Sequence, residues 1–242
     1  MKFENPLQSA RLIKRYKRFL ADIRLEDGSE ITIHCPNTGS MKNCQTPDSR
    51  IWYTDSANPK RKYPCTWQFI ETIDKFTQHL VGVNTGLANK LVVEALEKNV
   101  IAQLQGYQKL KTEVPYGDQN SRIDVFLSNH DGAEPDCYVE VKNVSLGLGD
   151  GLASFPDSVT TRGQKHLQEL MLVRKQGFRA VLLFSVQHTG IDRVTPADDI
   201  DPEYGRLLRL AAASGVEIFA YGVEVDVETS SVSMQGQIEV CL

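Results

Sequence analysis

Residues 122–142 read RIDVFLSNHDGAEPDCYVEVK. Two apolar runs, 122–128 and 137–146, flank a polar segment rich in turn formers, NHDGAEPD at 129–136. That pattern predicts two strands joined by a tight connection. Charges interrupt both runs: Asp124 in the first, Glu140 and Lys142 in the second. Burying an unpaired charge is costly, so charges inside strands need a purpose. Glu140 and Lys142 are two apart and project from one face of their strand. The turn can bring Asp124 alongside, so two carboxylates and an ammonium converge. Two hard oxygen ligands, completed by water or a main-chain carbonyl, suit Mg²⁺. A lysine beside them can orient a water or stabilise charge on a phosphate. The competing reading is a cross-strand ion-pair network on a solvated face.

The flanking segments supply a frame. Residues 86–99 have helical periodicity, with Leu87, Leu91 and Ala95 on one stripe. Glu94 falls within about 20° of Leu87 on that helix, which would let it reach over the sheet. Residues 160–176 form a second helix, with Gly177 after its end and Gln164 in its first turns. The positive helix start and the Gln164 amide could hold a phosphate or a water. Residues 179–186 (RAVLLFSV) read as a buried strand. Asp201-Pro202 opens a third helix as N-cap and first residue. A strand at 216–225 and an acidic hairpin in the tail complete the order α-β-β-β-α-β-α-β, a mixed sheet with helices around it. The series Glu94, Asp124, Glu140-x-Lys142, Gln164 on this frame resembles the PD-(D/E)xK nuclease superfamily. Asp124 stands sixteen residues before Glu140.

The first 80 or so residues differ in grammar. Alternation at Ala21, Ile23, Leu25 and again at Ile31, Ile33, Cys35, with Asp27-Gly28 between, predicts a hairpin. Residues 50–54 and 64–72 add strand candidates, and no convincing helix intervenes, so a small barrel or sandwich is expected. Five of the nine residues 11–19 are basic, with Tyr16 and Phe19 interleaved. Arg15, Lys17 and Arg18 there, and the run Lys60-Arg61-Lys62, are candidates for phosphate contact. The bland alternative is an edge strand guarded by charge. Trp52 and Trp67 are read as core or barrel-face residues rather than carbohydrate platforms.

Charge and composition bound the rest. The 242 residues carry 27 Lys+Arg and 31 Asp+Glu, net −4. The balance is uneven: +4 over 1–80, −1 over 81–190 and −7 over 191–242. A basic first part and an acidic tail suit a polyanion held by the former. No apolar run approaches the ~20 residues of a membrane span, and the N-terminus lacks a signal peptide's apolar region. Five scattered cysteines form no C-x-x-C pair, so reduced thiols in a cytoplasm are expected, with no membrane partner. His166 is read as a structural helix histidine.

Six motifs in order resemble the sugar fermentation stimulation protein A family: CPNTGSM at 35–41, VNT at 83–85, SRID at 121–124, VEVKNV at 139–144, FPDSVT at 155–160 and RGQKHL at 162–167. The resemblance spans essentially the whole chain. It implies an α+β protein with an OB-fold-like barrel over residues 1–82 and a PD-(D/E)xK nuclease-like domain over 83–242. It also implies DNA binding, with a regulatory role in sugar (maltose) metabolism. The family pattern has Glu where Thr161 stands, which removes one carboxylate but leaves Asp124, Glu140 and Lys142 in place. Two functions follow. One is a sequence-nonspecific DNA-binding regulator. The other is an active nuclease on DNA or RNA, with Asp124, Glu140 and the Val141 carbonyl holding Mg²⁺ or Mn²⁺, and Glu94, Lys142 and Gln164 assisting. Oligomeric state is open, a homodimer included.

Overall fold

The computed structural model describes residues 1–117 and 121–242. Alternation in the first part is realised as a barrel. Its strands are β1 (Gln8–Tyr16), β2 (Leu20–Arg24), β3 (Glu30–His34), β4 (Arg50–Asp55), β5 (Cys65–Asp74) and β6 (Thr77–Gly82). They pair in the order β3-β2-β1-β4-β5-β6, and a further β3–β5 pairing closes the ring. That pairing covers the outer edge of β3 at His34–Thr66, while β6 stays at the end of the order. Leu12, Ile23, Ile33, Ile51, Trp67 and Ile70 point inward and are fully or almost fully buried. The Trp67 indole N–H donates to the Phe69 carbonyl at 2.9 Å, so its polar end is satisfied inside.

Helix α1 (Leu87–Glu97) then leads through a short 3₁₀ turn into β7 (Tyr107–Tyr116), β8 (Ser121–His130) and β9 (Cys137–Val144). Next come β10 (Leu146–Gly149), β11 (Leu152–Phe155), α2 (Thr161–Lys175), β12 (Arg179–Val186), β13 (Arg193–Pro196), α3 (Pro202–Ala213), β14 (Glu217–Asp226) and β15 (Ser231–Val240). These strands form one nine-stranded mixed sheet, ordered β10-β11-β13-β15-β14-β12-β9-β8-β7. β12 runs parallel to β9 and β14 at its centre and is buried from Ala180 to Val186, as its unbroken apolar run requires. Both later helices are capped: Asp201 accepts from the Tyr204 N–H, as expected, and Thr160, expected inside its helix, instead caps it by accepting from the Gly163 N–H. α1 covers one face of the sheet, while α2 and α3 share the other core.

The two units are stitched together. Trp52 and Phe69, on the outside of the barrel, are buried in the same apolar cluster as Leu87, Leu91 and Val92 of α1. Gly82 donates to the Gln187 carbonyl at 2.7 Å, and Thr189 to the Leu80 carbonyl at 3.0 Å. A side chain at Gly82 would collide with Gln187, so the contact needs glycine. All five cysteines are free thiols. Among the described residues, no helix is long and apolar enough to cross a membrane.

Candidate metal centre

β8 and β9 meet in antiparallel register from Leu127–Cys137 to Val125–Val139. One step beyond, Asp124 turns its carboxylate into the gap. Its Oδ2 accepts the Val141 N–H at 2.7 Å and its Oδ1 accepts the Asn89 amide of α1 at 2.7 Å. Burial raises the Asp124 pKa, and the Glu140 charge beside it raises it further. Two carboxylates thus face one small volume, each making the other's charge less favourable.

Glu140 is buried, with 2% exposure. Lys142 Nζ donates to its Oε1 at 2.6 Å, and His166 Nδ1 of α2 reaches the same oxygen. Burial alone would push the Glu140 pKa up, but His166 and Lys142 outweigh it and hold the carboxyl below its usual range. The Arg162 Nε–H points at His166 Nε2 from 3.4 Å, and Lys142 Nζ lies 3.1 Å from His166 Nδ1, so the ring is packed between Arg162, Lys142 and Glu140. Glu140 Oε2 is left buried with no hydrogen-bond partner among the described residues. An ionised oxygen in that state calls for a cation.

The donor set restricts which cation fits. Among the described residues, no group of three or more His, Cys, Asp or Glu side chains is arranged to hold a metal. A structural zinc site, with four protein ligands, is therefore not built here. Two carboxylates, with main-chain oxygen and water making up the rest, match the habit of Mg²⁺ and its close relatives.

The structure brings Asp124, Glu140, Val141 and Lys142 together, but not every expected residue. The Glu94 carboxylate is engaged by the Met1 amino group at 2.6 Å and by Lys98 at 2.8 Å. It lies five positions beyond Asn89, about 7.5 Å along the helix and roughly 140° around it. Asn89 is the α1 residue that reaches the cluster. The Gln164 amide donates to Asp201 at 2.8 and 3.1 Å instead. Asp201 also accepts the Thr160 N–H at 2.8 Å, so Gln164 helps join the starts of α2 and α3.

Arg15 donates to the carbonyls of Asn37 and Gly39, both at 2.9 Å. Arg18 donates twice to the Thr38 carbonyl, at 2.9 and 2.6 Å. Both guanidiniums hold a barrel loop. Lys17, Lys60, Arg61 and Lys62 are exposed, with Lys62 lying over the Tyr63 ring at 5.5 Å.

Asn89 escaped the sequence reading, and His166 was read there only as a structural helix histidine. His166 stands in the RGQKHL motif on the inward stripe of α2, and that placement was the available signal. Glu169, one turn further along α2, is also a fully buried carboxylate. The Tyr116 phenol is pushed well above its usual range by burial, and further by Glu140, Glu169 and Asp124.

Two family models match the chain. One, described as the SfsA N-terminal OB domain, covers residues 13–83. The other, the sugar fermentation stimulation protein RE domain, covers 86–229. A sugar fermentation stimulation protein homolog of Shewanella loihica is 56% identical over 225 residues, 93% of this chain and 94% of that one. The homolog of Saccharophagus degradans is 53% identical over 233 residues, 96% and 97% of the two chains. A solved structure of SfsA from Pyrococcus furiosus, in complex with Ca²⁺, superposes with a TM-score of 0.86 at 24% identity. That superposition covers 100% of this chain and 98% of the other, so the two folds agree throughout.

Proposed function

The chain belongs to the sugar fermentation stimulation protein family, and on that premise we propose that it binds DNA and carries a phosphodiesterase-type divalent-cation centre at Asp124 and Glu140. The observation that carries this reading is Glu140 Oε2, buried beside a second carboxylate with no hydrogen-bond partner among the described residues. The Pyrococcus furiosus relative, solved with Ca²⁺, supports a hard divalent ion. Asp124 and Glu140, with the Val141 carbonyl, would hold Mg²⁺ or Mn²⁺. Such an ion supplies charge neutralisation at a phosphate and a more acidic water.

The chain's own residues set the geometry. Asn89 and the Val141 N–H fix the Asp124 carboxylate. His166 and Lys142 both take Glu140 Oε1 and thereby leave Oε2 for the cation. The Lys142 side chain is 12% exposed, so its charge sits at the rim where a phosphate would arrive. Arg162, exposed on the first turn of α2, stands next to it in the chain His166–Arg162 and can meet the same backbone. Lys17, Lys60, Arg61 and Lys62 would bind phosphates of DNA, or of RNA, without reading sequence.

A second reading is a DNA-binding regulator of sugar (maltose) metabolism that does not cleave. Lys142 favours it, because its ammonium is already committed to Glu140. So does the name shared by the relatives, which ties the family to sugar fermentation. The test is incubation with supercoiled, linear and single-stranded DNA and with RNA, in Mg²⁺ or Mn²⁺. Cleavage lost in Asp124→Asn and Lys142→Ala supports the nuclease. No cleavage, with DNA binding kept in EDTA, supports the regulator. No binding to any of these polymers overturns both.

A further inference from the structure

A cavity of about 260 Å³ lies between the barrel and the second domain, lined by Asn143, the residue that follows Lys142 on β9. We propose that this pocket takes one unstacked nucleobase of the bound strand, next to the phosphate that faces Lys142. The proposal rests on the nucleic-acid reading above and names the part of the substrate that the second domain grips.

Position comes first. Asn143 lines the pocket and directly follows Lys142, about 3.8 Å away along the chain. Thr85 lines it too and lies four residues before Asn89, the residue bonded to Asp124, just ahead of the start of α1. These are spacings along the chain, one or two times the ~3.4 Å axial step of a stacked strand, and Asn143 projects from the face of β9 opposite Lys142, so the base would reach the pocket around the end of the strand.

The walls are held from both sides. Thr38 comes from the barrel loop whose carbonyls are tied down by Arg15 and Arg18. Ser40 donates to the Asp157 carbonyl at 2.8 Å, and the Met41 N–H to the Asp157 carboxylate at 3.1 Å. The Thr85 hydroxyl donates to the Pro36 carbonyl at 3.1 Å. A Cβ at Gly39 would stand 2.9 Å from Asp157 Oδ2, so the loop approaches this closely only as glycine. The two arginines therefore act on substrate indirectly, by building a wall.

The lining then selects the ligand. It contains no Lys, Arg or His, so it is not a phosphate site. It offers hydroxyls and amides, one carboxylate already engaged by the loop, and the Phe155 ring. That ring is packed against Phe184 and Tyr204 at 5.7 and 5.2 Å and forms a fixed apolar wall. Asn143 Oδ1 is buried without a partner among the described residues. Turning the amide over exchanges acceptor for donor, so Asn143 can meet either kind of edge. A flat, neutral group with hydrogen-bonding edges fits this set, and single-stranded bases are recognised in this way.

The test is equilibrium binding, by fluorescence anisotropy in EDTA, of a labelled oligothymidylate and of the matching abasic strand. Wild type should prefer the strand with bases. Asn143→Leu, and separately Thr38→Val at the exposed mouth, should each weaken oligothymidylate about three- to tenfold and leave the abasic strand unchanged. Equal effects on both strands, or none on either, overturn the pocket assignment. Displacement of oligothymidylate by maltose but not by thymidine also overturns it, in favour of a sugar. Wild type that binds neither strand overturns the nucleic-acid reading itself.

Discussion

Asp124 of β8 accepts the backbone N–H of Val141 of β9 at 2.7 Å. One carboxylate oxygen thus replaces a strand carbonyl, and the other receives the Asn89 amide at 2.7 Å. The bond anchors the first carboxylate to the dipeptide link between Glu140 and Lys142. It also carries a cost, because burial and the Glu140 charge both disfavour the ionised form. A carboxyl whose folded pKa is raised loses stability as pH rises through that value.

Asp124→Asn keeps an acceptor for Val141 and removes the charge. Its melting temperature at pH 7 is expected to be unchanged or about 2–4 °C higher, the range that roughly 1 kcal/mol produces in a chain of this size. Asp124→Ala leaves the Val141 N–H and the Asn89 amide unpaired and should cost about 1–3 kcal/mol. Thermal melts of the two variants side by side would expose an error: a large loss in Asp124→Asn contradicts the strained-carboxylate account.

His166 is the buried partner that, with Lys142, keeps Glu140 ionised. His166→Ala should lower stability by about 2–3 kcal/mol, the scale of a hydrogen bond to a charged group. The loss should shrink in the double variant with Glu140→Gln, where no charge is stranded. Urea unfolding of the double-mutant cycle measures this coupling, and strict additivity would sink it.

Much of this architecture was legible. The alternation at 21–35 became β2 and β3, the apolar run at 179–186 became β12, and the Asp201 cap starts α3. Asp124, Glu140 and Lys142 were visible because charges inside apolar strands are conspicuous. What escaped was short or mixed. β10, β11 and β13 have four residues each, with glycines in the first and Pro196 ending the last, too few for a period to register. β6, TQHLVG, is largely polar. The helical wheel gave Glu94 a bearing but not a height along the axis, and Asn89 lies at the end that meets the sheet. Arg15 and Arg18 looked like phosphate ligands because a sequence does not display the carbonyls waiting for them.

That distinction separates the two basic clusters. Replacing Lys60, Arg61 and Lys62 together by Ala should flatten the salt dependence of DNA affinity by about 2–3 in the log–log slope, near 0.9 per phosphate contact. Arg15→Ala should barely move that slope. It should instead cost about 1–3 kcal/mol of stability, because the Asn37 and Gly39 carbonyls lose their donor. Salt titrations of binding, paired with urea melts, check both halves; the reverse assignment would show as a slope change in Arg15→Ala alone.

His188 predicts an acid sensitivity. Burial, and then the nearby His79, lower its pKa from 6.5 to about 4, against a small opposing pull from Asp74. Between those values the unfolded chain binds a proton that the folded one refuses, so stability falls as pH falls from 6.5 toward 4. From pH 7 to pH 5 the loss should be about 2 kcal/mol. His188→Gln should remove that part of the pH dependence. Denaturant midpoints measured at pH 5, 6 and 7 would tell, and parallel profiles for both proteins would discount His188.

The central claim is that Asp124 and Glu140 together hold one divalent cation. Calorimetric titration of Mn²⁺ into the wild-type protein, Asp124→Asn and Glu140→Gln tests it most directly. One site is expected in the wild type, and a loss of measurable binding in both variants, with their folds intact. Equal Mn²⁺ binding by all three proteins, or none by the wild type, would contradict it.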